Sequence, residues 1–263
     1  MEIKKIRLFV KENEKCEKVA SELKEKLIHE GFFLSEDDSF DLGIAVGGDG
    51  TFLRMIRESH FLPNTYYVGV NLGTLGFAQD VEYHEINLFI EQLKRGEFFY
   101  EDIGVQTISI EMNDKKEEFH ALNEFVIRDE ELKTIHLDVY INDILLENYV
   151  GDGILVSTSF GSTAYNLSFG GSMVFNEFDT LQITPIAPIL NKSYPTLANA
   201  LVLPSTKEIK LVPEKNSIIL TIDGITKSFS NVQSIKTSID RHIRLIRKKD
   251  YNYIKKINDK FIK

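Results

Sequence analysis

Apolar positions in the first hundred residues change period from one segment to the next. Ile3, Ile6, Leu8 and Val10 are spaced among charged residues, a pattern that predicts a strand. Val19, Leu23 and Leu27 recur at helical spacing between Asn13 and His29, and Gly31 stands where a helix takes its C-terminal cap. Leu42–Val46 is apolar apart from one glycine, as a strand buried on both faces would be. A helical stretch over 52–60 follows a glycine turn, and Tyr66–Asn71 reads as a further strand. Ile86, Phe89, Ile90 and Leu93 then mark a helix over 84–95, closed by Gly96. This alternation predicts an α/β domain with a Rossmann-like parallel sheet covered on both faces.

The pattern changes near Val105. Short strands succeed one another over 105–110, 135–141, 144–150, 209–212, 218–222 and 243–246. Asn113-Asp114, Asn142-Asp143 and Asp223-Gly224 punctuate them as turn pairs. An all-β domain is expected, two packed sheets in a β-sandwich. The boundaries fall at 1–100 for the α/β domain and 101–249 for the β domain. In the tail, 250–263, Ile254, Ile257 and Phe261 share one helical face among lysines. Such a helix either docks back on the first domain, the blander reading, or lies on a membrane surface.

Composition narrows the function classes. The net charge of −9 argues against nucleic acid as a partner. Cys16 is the one cysteine, so an internal disulfide and a cysteine-based zinc site are excluded, and the six histidines show no ligand spacing. No protein ligands for a metal are assigned. No run approaches the apolar length of a membrane span, and the chain reads as cytoplasmic.

Candidate chemistry begins at Gly47-Gly48-Asp49-Gly50-Thr51, between a buried strand and a helix start. Glycines let the backbone approach a bulky anion, and a helix N-terminus offers N–H groups to phosphate. Asp49 is either the helix N-cap or a carboxylate that orients a hydroxyl toward a phosphoryl group. Gly48, Gly50 and Thr51 line this turn, with Arg54 among the nearest cations. The loop after the strand Tyr66–Asn71 carries Leu75, Gly76 and Phe77 and can line the same crevice, since ligands of open α/β sheets bind beyond the strands' carboxyl ends. Phe77 offers a flat face to a base or plugs the core. No G-x-x-x-x-G-K-[ST] and no G-x-G-x-x-G occurs, so phosphate charge would fall to backbone amides and a divalent cation.

In the β domain, Asn123-Glu124 interrupts an apolar segment and is either turned inward, needing a partner such as ribose hydroxyls, or set on an exposed edge. Residues 151–166 run from Gly151-Asp152-Gly153 through Ser157-Thr158-Ser159 to Ser162-Thr163-Ala164-Tyr165-Asn166. Hydroxyls of this density suit ribose and carboxamide groups. Asp223 is placed with the binding residues, although Asp-Gly is also a preferred hairpin turn.

These segments together resemble the NAD kinase family: Gly47 to Thr51 its first motif, Asn123-Glu124 its Asn-Glu pair, and Gly151 to Asn166 its long glycine- and hydroxyl-rich motif. The resemblance implies transfer of the γ-phosphoryl of ATP, or of inorganic polyphosphate, to the 2′-hydroxyl of the adenosine ribose of NAD, with Mg²⁺ or another divalent cation. Asp49 would position and deprotonate that hydroxyl. Phe77, Asn123, Glu124, Asp152, Ser162, Thr163, Ala164, Tyr165 and Ser168 would contact the dinucleotide, with Asn166 beside them. Ala187 matches a position lining the site from a neighbouring subunit, and a homodimer or homotetramer through the β domain is implied. Thr158-Ser159-Phe160 departs from the family's Thr-Pro-Thr, Val150 stands where several relatives carry arginine, and Ile225 where many carry glutamine.

Overall fold

A computed structural model describes residues 3–73, 76–190 and 195–263. The chain forms two compact units, residues 1–103 with 243–263, and residues 104–242.

The first unit runs β1 (Lys5–Val10), α1 (Glu14–His29), β2 (Phe33–Leu34), β3 (Leu42–Val46), α2 (Asp49–Glu58), β4 (Tyr66–Asn71), β5 (Gln79–Glu82) and α3 (Ile86–Arg95). Strand pairing runs β2-β1-β3-β4, all parallel, with β5 also parallel to β4. Every residue of β3 and β4 is buried, as expected of central strands with helices over both faces. Asn13 caps α1 by accepting the N–H of Cys16, and the left-handed Gly96 closes α3. The core joins Val19, Leu23 and Leu27 of α1 to Ile44 and Val46 of β3 and to Phe89 and Leu93 of α3.

The second unit contains most of β6 (Phe99–Met112), then β7 (Lys116–Ala121), β8 (Glu124–Asp129), β9 (Ile135–Ile141), β10 (Ile144–Gly151) and β11 (Gly153–Thr158). A 3-10 turn, Phe160–Thr163, leads into the single-turn helix α4 (Tyr165–Ser168). There follow β12 (Thr180–Ile186), β13 (Leu201–Pro204), β14 (Ile209–Pro213), β15 (Ile218–Ile222), β16 (Ile225–Phe229) and the long β17 (Val232–Arg247). One antiparallel sheet has the order β13-β12-β11-β8-β15-β16. In the other, β9 pairs with β10 and β14, and β14 with the first part of β17. A single core draws Phe125, Ile154 and Leu220 from the first sheet and Leu137, Leu211 and Ile235 from the second, which makes this unit a β-sandwich. Positive φ at Asn142, Asp143, Asp223 and Gly224 identifies the tight hairpin turns.

Two features differ from the sequence pattern. The last residues of β17 were expected among the strands of the β domain, yet Arg244 and Leu245 pair in parallel with Tyr66 and Tyr67 of β4. The tail helix α5 (Tyr253–Phe261) only partly turns its apolar stripe inward: Phe261 packs on Phe77, but Ile254 is 59% exposed, whereas Lys256 is 7% exposed. Lys256 is drawn in because its Nζ meets Gln79 O at 2.8 Å and the Asp80 carboxylate. Asp80 in turn accepts from the fully buried Arg247 at 2.7 Å, and Arg247 Nε donates to Glu101 at 2.7 Å. Burial alone would depress the Arg247 guanidinium, but Asp80 and Glu101 raise it, while burial lowers the Lys256 ammonium against the pull of Asp80. No helix among the described residues is long and apolar enough to cross a membrane.

Candidate active site

In the first unit the glycine turn is built by close packing. Gly47 has φ +153°, and a Cβ there would run into the Thr51 hydroxyl. Gly48 serves as the N-cap of α2, so Asp49 is the first helical residue and not its cap. The Asp49 carboxylate instead accepts the backbone N–H groups of Phe77 at 3.3 Å and Ala78 at 3.0 Å, and meets Lys260 Nζ at 3.4 Å. It remains 41% exposed and retains room for a further donor. Gly76 makes this approach possible, since a Cβ there would strike both the Asp49 carboxylate and the Gln79 amide.

Open space lies over the Cα atoms of Gly48 and Gly50, in a depression also lined by Lys11, Glu12, Thr51 and Arg54. Arg54 is less available than its place in the sequence implied. Its Nη2 donates to Val10 O at 2.5 Å, and it pairs with Glu58 at 3.8 Å and Glu12 at 4.0 Å. Phe77 is buried, with Phe261 at 5.4 Å and Tyr253 at 6.0 Å between ring centroids. It therefore fills the space between its loop and α5. Leu75 lies outside the described residues.

In the second unit the Asn-Glu pair and the hydroxyl-rich stretch are brought together. Thr158 N donates to Asn123 O at 2.9 Å, and Thr158 Oγ1 to Leu122 O at 2.5 Å. A Cβ at Gly161 would collide with the backbone of Asn123, so the turn fits only as glycine. Asp223 is not free for a ligand: its carboxylate accepts the N–H groups of Leu122, Asn123 and Glu124 at 2.7, 2.8 and 3.2 Å. Both readings of Asp223 merge here, because the hairpin turn at φ 44° is what aims the carboxylate at that backbone.

Glu124 is buried, and the N–H of Tyr165 donates to its carboxyl group. Burial, reinforced by the negative charge of Asp223, pushes its pKa up to about 8. Its Oε2 has no hydrogen-bond partner among the described residues. Asn123 is half-buried.

The hydroxyls expected to face a ligand are mostly spent inside. Ser162 Oγ donates to Val174 O at 3.2 Å and accepts Val174 N at 3.0 Å. Asn166 is fully buried, accepting from Thr184 Oγ1 at 2.6 Å and donating to Ser162 O at 3.3 Å. Thr163 is buried as well. Tyr165 is 42% exposed, 4.8 Å from Phe169 between centroids, and Ala164 and Ser168 share this outward stretch. Asp152 and Ala187 are exposed, Ala187 with φ 46° just beyond β12. Of the departures, Ser159, Phe160 and Val150 are buried and Ile225 is exposed.

Three participants had no signal in the sequence reading. Lys260 is 211 residues from Asp49, and its residue type on a lysine-rich helix marks it only as solvated. Gln79 is fully buried beside Gly76, with neither amide atom partnered among the described residues. Tyr149 holds the 151–153 turn by donating to Gly153 O at 2.6 Å and Ile186 O at 2.7 Å.

Residues 4–98 match the family description "ATP-NAD kinase N-terminal domain", and residues 122–246 match "ATP-NAD kinase C-terminal domain". The chain is 38% identical to the NAD kinase of Finegoldia magna over 98% of its own length and 97% of that protein. It is 33% identical to the NAD kinase of Staphylococcus carnosus over 87% of each. Among solved structures it is similar to yeast NADH kinase complexed with NADH, with a TM-score of 0.88 at 19% identity, covering 98% of this chain and 87% of that one. It is also similar to an NAD kinase from Archaeoglobus fulgidus in complex with ATP, with a TM-score of 0.77 at 21% identity, covering 97% and 99%.

Proposed function

The chain belongs to the NAD kinase family, and we propose that Asp49 is the group that positions and deprotonates the 2′-hydroxyl of the adenosine ribose of NAD. The hydroxyl oxygen bonds to the γ-phosphorus of ATP, the bond from that phosphorus to ADP breaks, and the proton passes to Asp49. NADP and ADP leave. The observation that carries this reading is the Asp49 carboxylate itself, held by two backbone N–H groups at the start of α2 and still partly open. Positioning contributes more than basicity when a carboxylate serves as acceptor in phosphoryl transfer.

The open backbone at Gly48 and Gly50 suits the phosphate chain, which the N-terminal amides of α2 would hold. Among the described residues no group of three His, Cys, Asp or Glu converges. A divalent cation would come in on the phosphates of ATP, where it would neutralise their charge.

In the second unit, Asn123, Glu124 and Tyr165 would take the dinucleotide, with Asp152, Ala164 and Ser168 beside them. Glu124 is protonated at neutral pH and can donate a hydrogen bond to a ribose hydroxyl. Ser162, Thr163, Asn166 and Asp223 act as the frame behind these contacts. Ala187 would line the site of a neighbouring subunit, in a homodimer or homotetramer formed through the β unit. The enzyme would work in the cytoplasm.

Purified protein given NAD, ATP and Mg²⁺ should produce NADP, and Asp49→Asn should lower kcat by about a thousandfold or more with little change in KM. Wild-type turnover in that variant would remove Asp49 from the mechanism. A panel with polyphosphate as donor and NADH as acceptor fixes the substrate range.

A further inference from the structure

Lys260 and Asp49 stand at opposite ends of the sequence, yet Lys260 Nζ lies 3.4 Å from Asp49 Oδ2 and 4.7 Å from the centroid of the Phe77 ring. Two anchors fix the helix that carries it. Asn252 caps α5 by accepting Lys255 N, and Tyr253 and Phe261 pack on Phe77. Lys256, one turn before Lys260 on the same face, is buried on Gln79 O and Asp80. Lys256 therefore holds the helix down, and Lys260 is left with a different task. Its side chain is 27% exposed, and its ion pair with a carboxylate that is itself partly exposed contributes little to stability. A pair so weak is readily exchanged for a stronger one. Arg54, across the turn, is already bound to Val10 O and Glu58.

We propose that Lys260 is a phosphate-binding catalytic residue, which pairs with Asp49 before the donor binds and transfers its ammonium to the phosphate oxygens of ATP when it does. The triphosphate carries more charge than one carboxylate, and lysine binds phosphate as a compact, mobile point charge. Release from Lys260 leaves Asp49 free to accept the hydroxyl proton. The cation–π contact with Phe77 keeps the ammonium near both partners during the exchange. This inference rests on the assignment of Asp49 as proton acceptor and ATP as donor.

The test compares Lys260→Met and Lys260→Arg in the full chain with Asp49→Asn. Lys260→Met should lower kcat/KM for ATP about tenfold or more while KM for NAD stays within about twofold. Lys260→Arg, which keeps the charge, should recover most of the loss. Calorimetric titration with ATP, which needs no turnover, should give weaker and less salt-dependent binding in Lys260→Met. Unchanged ATP parameters in Lys260→Met would overturn the proposal. So would a loss falling equally on NAD and ATP together with a lowered unfolding temperature, the mark of a merely structural lysine. Turnover persisting in Asp49→Asn would refute the proton-acceptor assignment alone, because the ATP titration reads Lys260 independently.

Discussion

The carboxylate of Asp223 accepts the backbone N–H of Asn123 at 2.8 Å, across a sequence separation of 100 residues. It takes the neighbouring N–H groups of Leu122 and Glu124 as well, while its own N–H donates to Glu124 O at 3.0 Å. One hairpin turn thus fixes where the Asn-Glu pair begins.

Asp223→Ala should orphan these amides and cost about 2–4 kcal/mol, since each unsatisfied buried donor costs roughly 1–3 kcal/mol. Asp223→Asn keeps one acceptor oxygen and should cost about half as much. Urea unfolding gives both values, and KM for NAD should rise in step with the loss. Equal stability of Asp223→Ala and wild type would show that the carboxylate holds nothing.

Glu124 should make the protein less stable as pH rises. Its folded pKa of about 8 lies above the ordinary 4.5, so below pH 4.5 the carboxyl is neutral in both states. Between 4.5 and 8 the unfolded chain releases a proton that the folded one retains. Stability present below the unfolded value is therefore lost across that window, by about 1.4 kcal/mol per pH unit at most. Glu124→Gln should remove this slope and be the more stable protein at pH 8. Parallel pH profiles for the two would contradict the raised value.

Gly76→Ala places a methyl group against the Asp49 carboxylate and the Gln79 amide. Crowding of this kind costs about 1–3 kcal/mol. Because Asp49 must shift, kcat should fall about a hundredfold. Full activity in the alanine variant would mean that Asp49 has room to spare.

Arg247 and Lys256 share Asp80 but should differ in what their loss costs. Arg247→Met strands Glu101, leaves Asp80 with Lys256 alone, and should cost about 3–5 kcal/mol. Lys256→Met leaves Asp80 with Arg247, and a well-packed methionine should cost less than about 2 kcal/mol. Chemical denaturation of the two variants ranks them, and a reversed order would show that Asp80 depends on Lys256 more than on Arg247.

The order of elements was legible because burial imposes periodicity. The wholly buried β3, the helical spacing of Val19, Leu23 and Leu27, and the turn pairs at 142–143 and 223–224 are local patterns with local causes. The glycine turn with Asp49 was legible for the same reason, as strand, turn and helix are adjacent in the chain.

Side-chain direction was not legible, because it is set by partners distant in sequence. The stretch 157–166 advertised hydroxyls, but the fold turned Ser162 to Val174 and Asn166 to Thr184. The apolar residues of α5 advertised its buried face, but Ile254 is left outside while Asp80 and Gln79 draw in Lys256, and Lys260 with it to Asp49. The ion pair of Lys256 with Asp80 and the packing of Phe261 on Phe77 together orient this nine-residue helix, which leaves Ile254 exposed. The sequence by itself determined the two layered architectures and the acidic residue at the head of α2. Only tertiary structure decided which cation faces that residue.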